Sequence, residues 1–82
     1  MGRQVSRSID LHGQRLEDAV QSLEGLLASA PRGSWVRVIH GHGTGTLAAA
    51  CERLLRNDSR VAEIERPHGE RRQRAELLVR MR

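Results

Sequence analysis

Two amphipathic stripes set between short strand-like runs constrain this chain more than any other feature. Leu16, Ala19, Val20, Leu23, Leu26 and Leu27 recur at helical spacing, and Pro31 with Gly33 stops them. Leu47, Ala50, Cys51, Leu54 and Leu55 make a second stripe that ends near Asn57. Between and around them lie four runs with strand character. Residues 8–12 (SIDLH) alternate apolar with polar, residues 35–39 (WVRVI) are mostly apolar, and residues 61–65 (VAEIE) alternate more weakly. In the last run Leu77, Val79 and Met81 alternate with Glu76, Leu78 and Arg80. The order is β-α-β-α-β-β, an α/β fold. Residues 1–7 are expected as an N-terminal tail and residues 8–82 as a single domain. A chain of 82 residues buries roughly 60–65% of its unfolded surface, enough for one modest core and too little for a deep enclosed site.

The first strand, helix and second strand have the lengths of a right-handed βαβ unit with parallel strands, so the loops after both strands emerge along one edge of the sheet. Those loops read Asp10-Leu11-His12-Gly13 and His40-Gly41-His42-Gly43-Thr44-Gly45. Both lead into helices, whose first N–H groups favour an anion, and open α/β sheets bind ligands at this edge. The reading that follows puts a phosphate against the glycines Gly41, Gly43 and Gly45 and gives the histidines the task of acting on it. Each residue also has a plainer role open to it. Asp10 could order the Gly13 turn. His12 could satisfy a backbone carbonyl, and His40 could hold its own loop. The glycines could serve positive φ alone, a geometry that itself goes together with anion binding. Thr44 and Thr46 suit helix N-caps as well as ligand contacts. Cys51 belongs to the apolar stripe, and Trp35 and His68 receive no role.

Charge points the same way once it is located. The net charge of +4 resides in residues 66–82, where Arg66, Arg71, Arg72, Arg74, Arg80 and Arg82 face only Glu70 and Glu76; acids and bases balance before that. Every basic side chain is Arg, whose fork suits bidentate phosphate contact. Arg71, Arg72 and Arg74 are therefore candidate phosphate contacts, though solvated surface and codon bias account for arginines equally well. Trp35 is the only aromatic residue, so contacts with a nucleic acid would be mostly to phosphate. One cysteine precludes an internal disulfide and fits a reducing, cytoplasmic setting. No stretch is long or apolar enough for a signal sequence or a membrane span, and no membrane partner is expected.

Three motifs in order, Ile9-Asp10-Leu11-His12-Gly13, Asp18-Ala19 and the IHGxGTGxL block from Ile39 to Leu47, resemble the small MutS-related, or Smr, domain. The resemblance implies a two-layer α/β sandwich with a four-stranded mixed sheet and two helices, similar to the C-terminal domain of bacterial translation initiation factor three. It implies an endonuclease that nicks DNA or cuts RNA, or else a nucleic-acid or ribosome-binding module, standing alone or ending a larger MutS-like protein. It also strengthens a catalytic reading of His12, because members with His in this motif are the ones associated with cleavage. Two positions depart from the pattern. His42 stands where the family block usually carries Lys or Arg, and residues 67–74 replace a glycine-rich turn before the last strand with an arginine-rich segment.

Three chemistries compete for these residues. A metal site could draw on Asp10, His12, His40 and His42, but carboxylates are too few for a Mg²⁺ pair. No tightly bound cofactor is expected, and a divalent cation at most as a stimulant. Acid–base cleavage needs one imidazole to take a proton and another to give one, and two histidine-bearing loops on one edge could supply both. That mechanism is favoured, with His12 as base and Asp10 and His40 as its catalytic partners. His42, Thr44 and the three glycines then bind phosphate. The third reading has no chemistry, only a grip on nucleic acid.

Overall fold

Glu17 and Asp18 in the first turn complement the helix dipole of α1 (Leu16–Ser29). Ala30, in extended conformation before Pro31, ends it, as the residue preceding a proline tends to do. In α2 (Thr46–Arg56) the favourable charges sit at the other end, with Arg53 and Arg56 in the last turn. The side-chain amide of Asn57 donates to the Arg53 carbonyl at 2.9 Å. The computed structural model describes residues 4–67 and 75–82, and the remaining elements are β1 (Val5–Asp10), β2 (Trp35–Ile39), β3 (Val61–Glu65) and β4 (Glu76–Met81). The order is the one read from periodicity.

The sheet runs β1-β2-β4-β3. β1 and β2 are parallel, and β4 is antiparallel to both of its neighbours. Both crossovers, β1 to β2 and β2 to β3, step in the same direction across the sheet, so right-handedness puts both helices on the same face. That face holds the core: Ala19, Leu23 and Leu27 from α1 and Cys51 and Leu55 from α2 close over Val36, Val38, Leu77, Val79 and Met81. Burying each Leu, Val or Met among them contributes about 1.5–3 kcal/mol, and truncating a leucine as Leu→Ala costs about 2–5 kcal/mol. The opposite face carries the intervening residues of each strand, including Trp35, Arg37 and Ile39 of β2 and Leu78 and Arg80 of β4.

Two expectations are corrected. Val5, Ser6 and Arg7, expected as tail, belong to β1, because Val5 and Arg7 pair with Trp35 and Val36 of β2. The register shift between Val5 and Arg7 hides the alternation that would have announced it. Leu16, read as part of the inner stripe, is 47% exposed. It opens the helix at the sheet edge, beyond the reach of the core.

Candidate active site

β1 ends at Asp10, and alternation carries on one step further: Leu11 is wholly buried while its neighbours Asp10 and His12 stay exposed. A β-turn follows, closed by the Gln14 N–H donating to the Leu11 carbonyl at 3.1 Å. Gly13 occupies its third position at φ +76°, a conformation that suits glycine there. His12 is thereby fixed at the second position. The Asp10 carboxylate completes the arrangement by accepting twice through Oδ1, from the His12 backbone N–H at 3.1 Å and from His12 Nδ1 at 2.6 Å. A carboxylate only accepts, so the ring carries its proton on Nδ1 and leaves Nε2 as the basic nitrogen. These bonds, the side-chain one foremost, hold the Asp10 carboxyl below its ordinary range. Asp10 thus orders the turn and orients His12 at once.

The second loop is tied to β4. The N–H groups of His40 and Gly41 both donate to the Ala75 carbonyl, at 2.8 and 3.1 Å. His40 Nδ1 lies 2.8 Å from the Gly41 carbonyl, which again fixes the proton on Nδ1 and leaves Nε2 as acceptor. Gly41 adopts φ +84°, and a Cβ there would stand 2.9 Å from the Cβ of His12. Its amide is engaged by Ala75, so what Gly41 gives the site is space for the two loops to meet. Gly45 is the N-cap of α2 at φ +92°. Gly43 does not share the positive φ expected for all three glycines, and a Cβ on it would meet nothing within 4 Å. The N-cap role considered for the threonines is not taken up either: no side chain caps α2, and Thr44 and Thr46 join their hydroxyls at 3.0 Å.

A cleft of about 980 Å³ brings these parts together. Asp10, His12, His40, Gly41, His42, Gly43, Thr44 and Gly45 all line it. Arg71, Arg72 and Arg74 lie outside the described residues, although Ala75, immediately after them, also lines the cleft. Gln14, Leu16, Arg37 and Glu76, which sequence reading missed, also line it. For Arg37 the signal was available, since the alternation of WVRVI puts it on the face opposite Val36 and Val38.

Beside the cleft, His40 also borders a smaller hollow with Glu52 and Arg66. Arg66 Nε donates to Glu52 at 2.6 Å, its Nη2 donates to the other carboxylate oxygen, and Arg56 approaches the same carboxylate at 3.4 Å. The Arg66 hydrogen bond is the main cause holding the Glu52 carboxyl below its ordinary range. The pair fastens the end of β3 to α2. Among the described residues no group of three or more His, Cys, Asp or Glu side chains is placed to share a metal ion.

The family model of the Smr domain matches residues 9–82. The chain belongs to the Smr domain family. Its fold agrees with the crystal structure of the Smr domain of Thermus thermophilus MutS2, with a TM-score of 0.75 and 29% identity over 93% of this chain and 98% of that one. Similar proteins include the Endonuclease MutS2 of Thermomicrobium roseum, 41% identical over 68 residues, and that of Acetivibrio thermocellus, 38% identical over 61. The matches cover 78% and 72% of this Smr domain but only 9% and 8% of those proteins. No helix among the described residues is long and apolar enough to cross a membrane.

Proposed function

We propose that this Smr domain is a nucleic-acid endonuclease that works by acid–base catalysis, with His12 as general base. The observation that carries the reading is the double hold of Asp10 on His12, through the backbone N–H and Nδ1. It orients the ring and fixes the tautomer, the part an aspartate plays for a catalytic histidine in unrelated hydrolases. Nε2 takes the proton of the attacking hydroxyl, water on DNA or the neighbouring 2′-hydroxyl on RNA. The attacking oxygen bonds to phosphorus as the ester oxygen leaves, and His40 in its protonated form returns a proton to that oxygen. The scissile phosphate rests against the N–H groups of residues 42–46 at the start of α2, where the helix dipole favours an anion. His42 and Thr44 add side-chain donors, and Arg71, Arg72 and Arg74 add charge.

The kinship with proteins named Endonuclease MutS2 supports the same reading and makes a larger MutS-like protein a natural setting for the domain. A cleavage assay on single-stranded RNA and duplex DNA, with and without chelator, tests it. His12→Ala is expected to lower cleavage roughly 10²- to 10⁴-fold while folding and affinity stay near parental. Full activity in that variant would remove His12 as base. A parent chain that binds but cuts neither polymer would be a binding module.

A further inference from the structure

Leu16 is the one large apolar side chain left exposed among the described residues, at 47%, and it lines the cleft together with His12. It does not stand alone there. Leu47, Ala48 and Ile39, all half-buried, line the same cleft. The two leucines hold matching places in the chain: Leu16 opens α1 four residues after His12, and Leu47 follows directly on residues 42–46 in the first turn of α2. Each loop thus delivers its polar groups first and an apolar side chain after them. A phosphate has no use for such a wall. The cleft volume of about 980 Å³ stands at the top of the range of small-ligand sites, and a single phosphate group fills only a small part of it. The carboxylates of the cleft leave room for a neutral occupant, because Asp10 accepts from His12 and Glu76 from Arg37.

We propose that Leu16 and Leu47 bound a subsite for the nucleobase of the nucleotide whose phosphate sits at the start of α2. The proposal rests on the nucleic-acid reading of the cleft and adds the part of the substrate next to the reacting phosphate. A nucleobase is flat, uncharged and apolar on its faces, and in a nucleic acid one lies within a nucleotide of every phosphate. That order matches the step from amides to leucine in the loop before α2. A base inside a duplex has both faces covered by its neighbours, so the subsite takes bases from single strands or bases extruded from a duplex.

Leu47 packs against the core whereas Leu16 stands outside it, so Leu16 is the residue to change. The full chain is titrated with a short oligothymidylate and with an abasic oligomer of the same length, which carries the same phosphates without bases. Binding is followed by anisotropy of labelled strands. The oligothymidylate is expected to bind more tightly. Covering the exposed half of a leucine corresponds to a change in affinity of roughly 3- to 10-fold. Leu16→Ser is expected to weaken oligothymidylate binding by that factor and to leave abasic binding unchanged, with Leu16→Met near parental. In NMR spectra of the parent, the Leu16 methyl signals are expected to move upfield with the oligothymidylate, under the ring current of a base lying on them, and to stay in place with the abasic strand. Equal affinity of the parent for the two oligomers, or a preference for the oligothymidylate that survives Leu16→Ser, overturns the subsite and leaves the cleft reading standing. Equal loss of both in Leu16→Ser does the same. Failure of both oligomers to bind overturns the cleft reading, and the subsite with it.

Discussion

Replacing Gly41 by Ala separates the part of the site that is built by close approach from the part that is built by side chains. The added Cβ would lie 2.9 Å from His12 Cβ and 3.6 Å from His12 Cα. Carbon atoms in contact settle at about 3.5–4.0 Å, so one loop must retreat by about 0.6–1.1 Å. The Gly41 loop is held by two N–H bonds to Ala75, and the burden falls on His12 and its turn. A misplacement of about 1 Å can cost on the order of 10²-fold in rate. At φ +84° an alanine also bears about 1–3 kcal/mol of backbone strain, which in a domain this small lowers Tm by several degrees. Gly33 is the control. It adopts φ +74° with nothing within 4 Å of its Cβ, so Gly33→Ala carries the strain without the collision. Urea unfolding and cleavage rates, corrected for the folded fraction, are measured on both variants. Both lose stability, and only Gly41→Ala loses rate. Equal rates per folded molecule in the two would refute the idea that Gly41 sets the position of His12.

The remaining expectations address the neighbouring groups. Gly43→Ala meets open space at an ordinary φ, so folding should be unharmed while affinity and cleavage fall, as the methyl holds the anion off the amides; parental affinity by titration would take Gly43 out of the phosphate cradle. Asp10→Asn should reduce cleavage with binding retained. The depressed Asp10 pKa keeps its charge constant at and above the ordinary carboxylate range, and its help is lost only as pH falls through the lowered value. Glu52 follows the same sign: the contribution of its pairing is complete above the ordinary Glu range and lost as pH falls through its lowered pKa. Glu52→Gln should therefore flatten the acid limb of the unfolding midpoint against pH. Replacing Arg71, Arg72 and Arg74 by Ala should weaken binding to all sequences alike and flatten the salt dependence by about 0.7 log units for each single-strand phosphate no longer neutralised; an unchanged slope would make those arginines solvated surface.

The helices, three of the four strands and the edge that carries the site were legible because each rests on a local period or on the handedness of crossovers. α2 and β3 fall where the stripe and the alternation put them. The start of β1 was not legible, since its register with β2 shifts within Val5–Arg7 and no local pattern survives such a shift. The histidine-glycine loops announced themselves by composition, yet the division of labour among the glycines did not. Gly41 is needed because His12 is far away in sequence and adjacent in space, Gly45 because α2 begins in a left-handed turn, and Gly43 for neither reason. Such distinctions depend on tertiary distances that three similar glycines in a row cannot encode.

The same dependence explains why the last strand matters to a site whose motifs all precede it. β4 pairs with β2 through Ile39 and Glu76, and just before that pairing the Ala75 carbonyl accepts the N–H groups of His40 and Gly41. Leu11 N donates to the Ile39 carbonyl at 2.7 Å on the other side of β2, so the two loops of the cleft are referenced to one strand end from opposite flanks. The first loop is positioned by β2, and the second by β4 acting across it. Because β4 lies between β2 and β3, whatever anchors β3, including the Arg66–Glu52 pair on α2, also steadies the carbonyl on which His40 and Gly41 hang. The Asp10–His12 dyad is thus a local device of one short turn, whereas the placement of its partner loop is a property of the whole sheet.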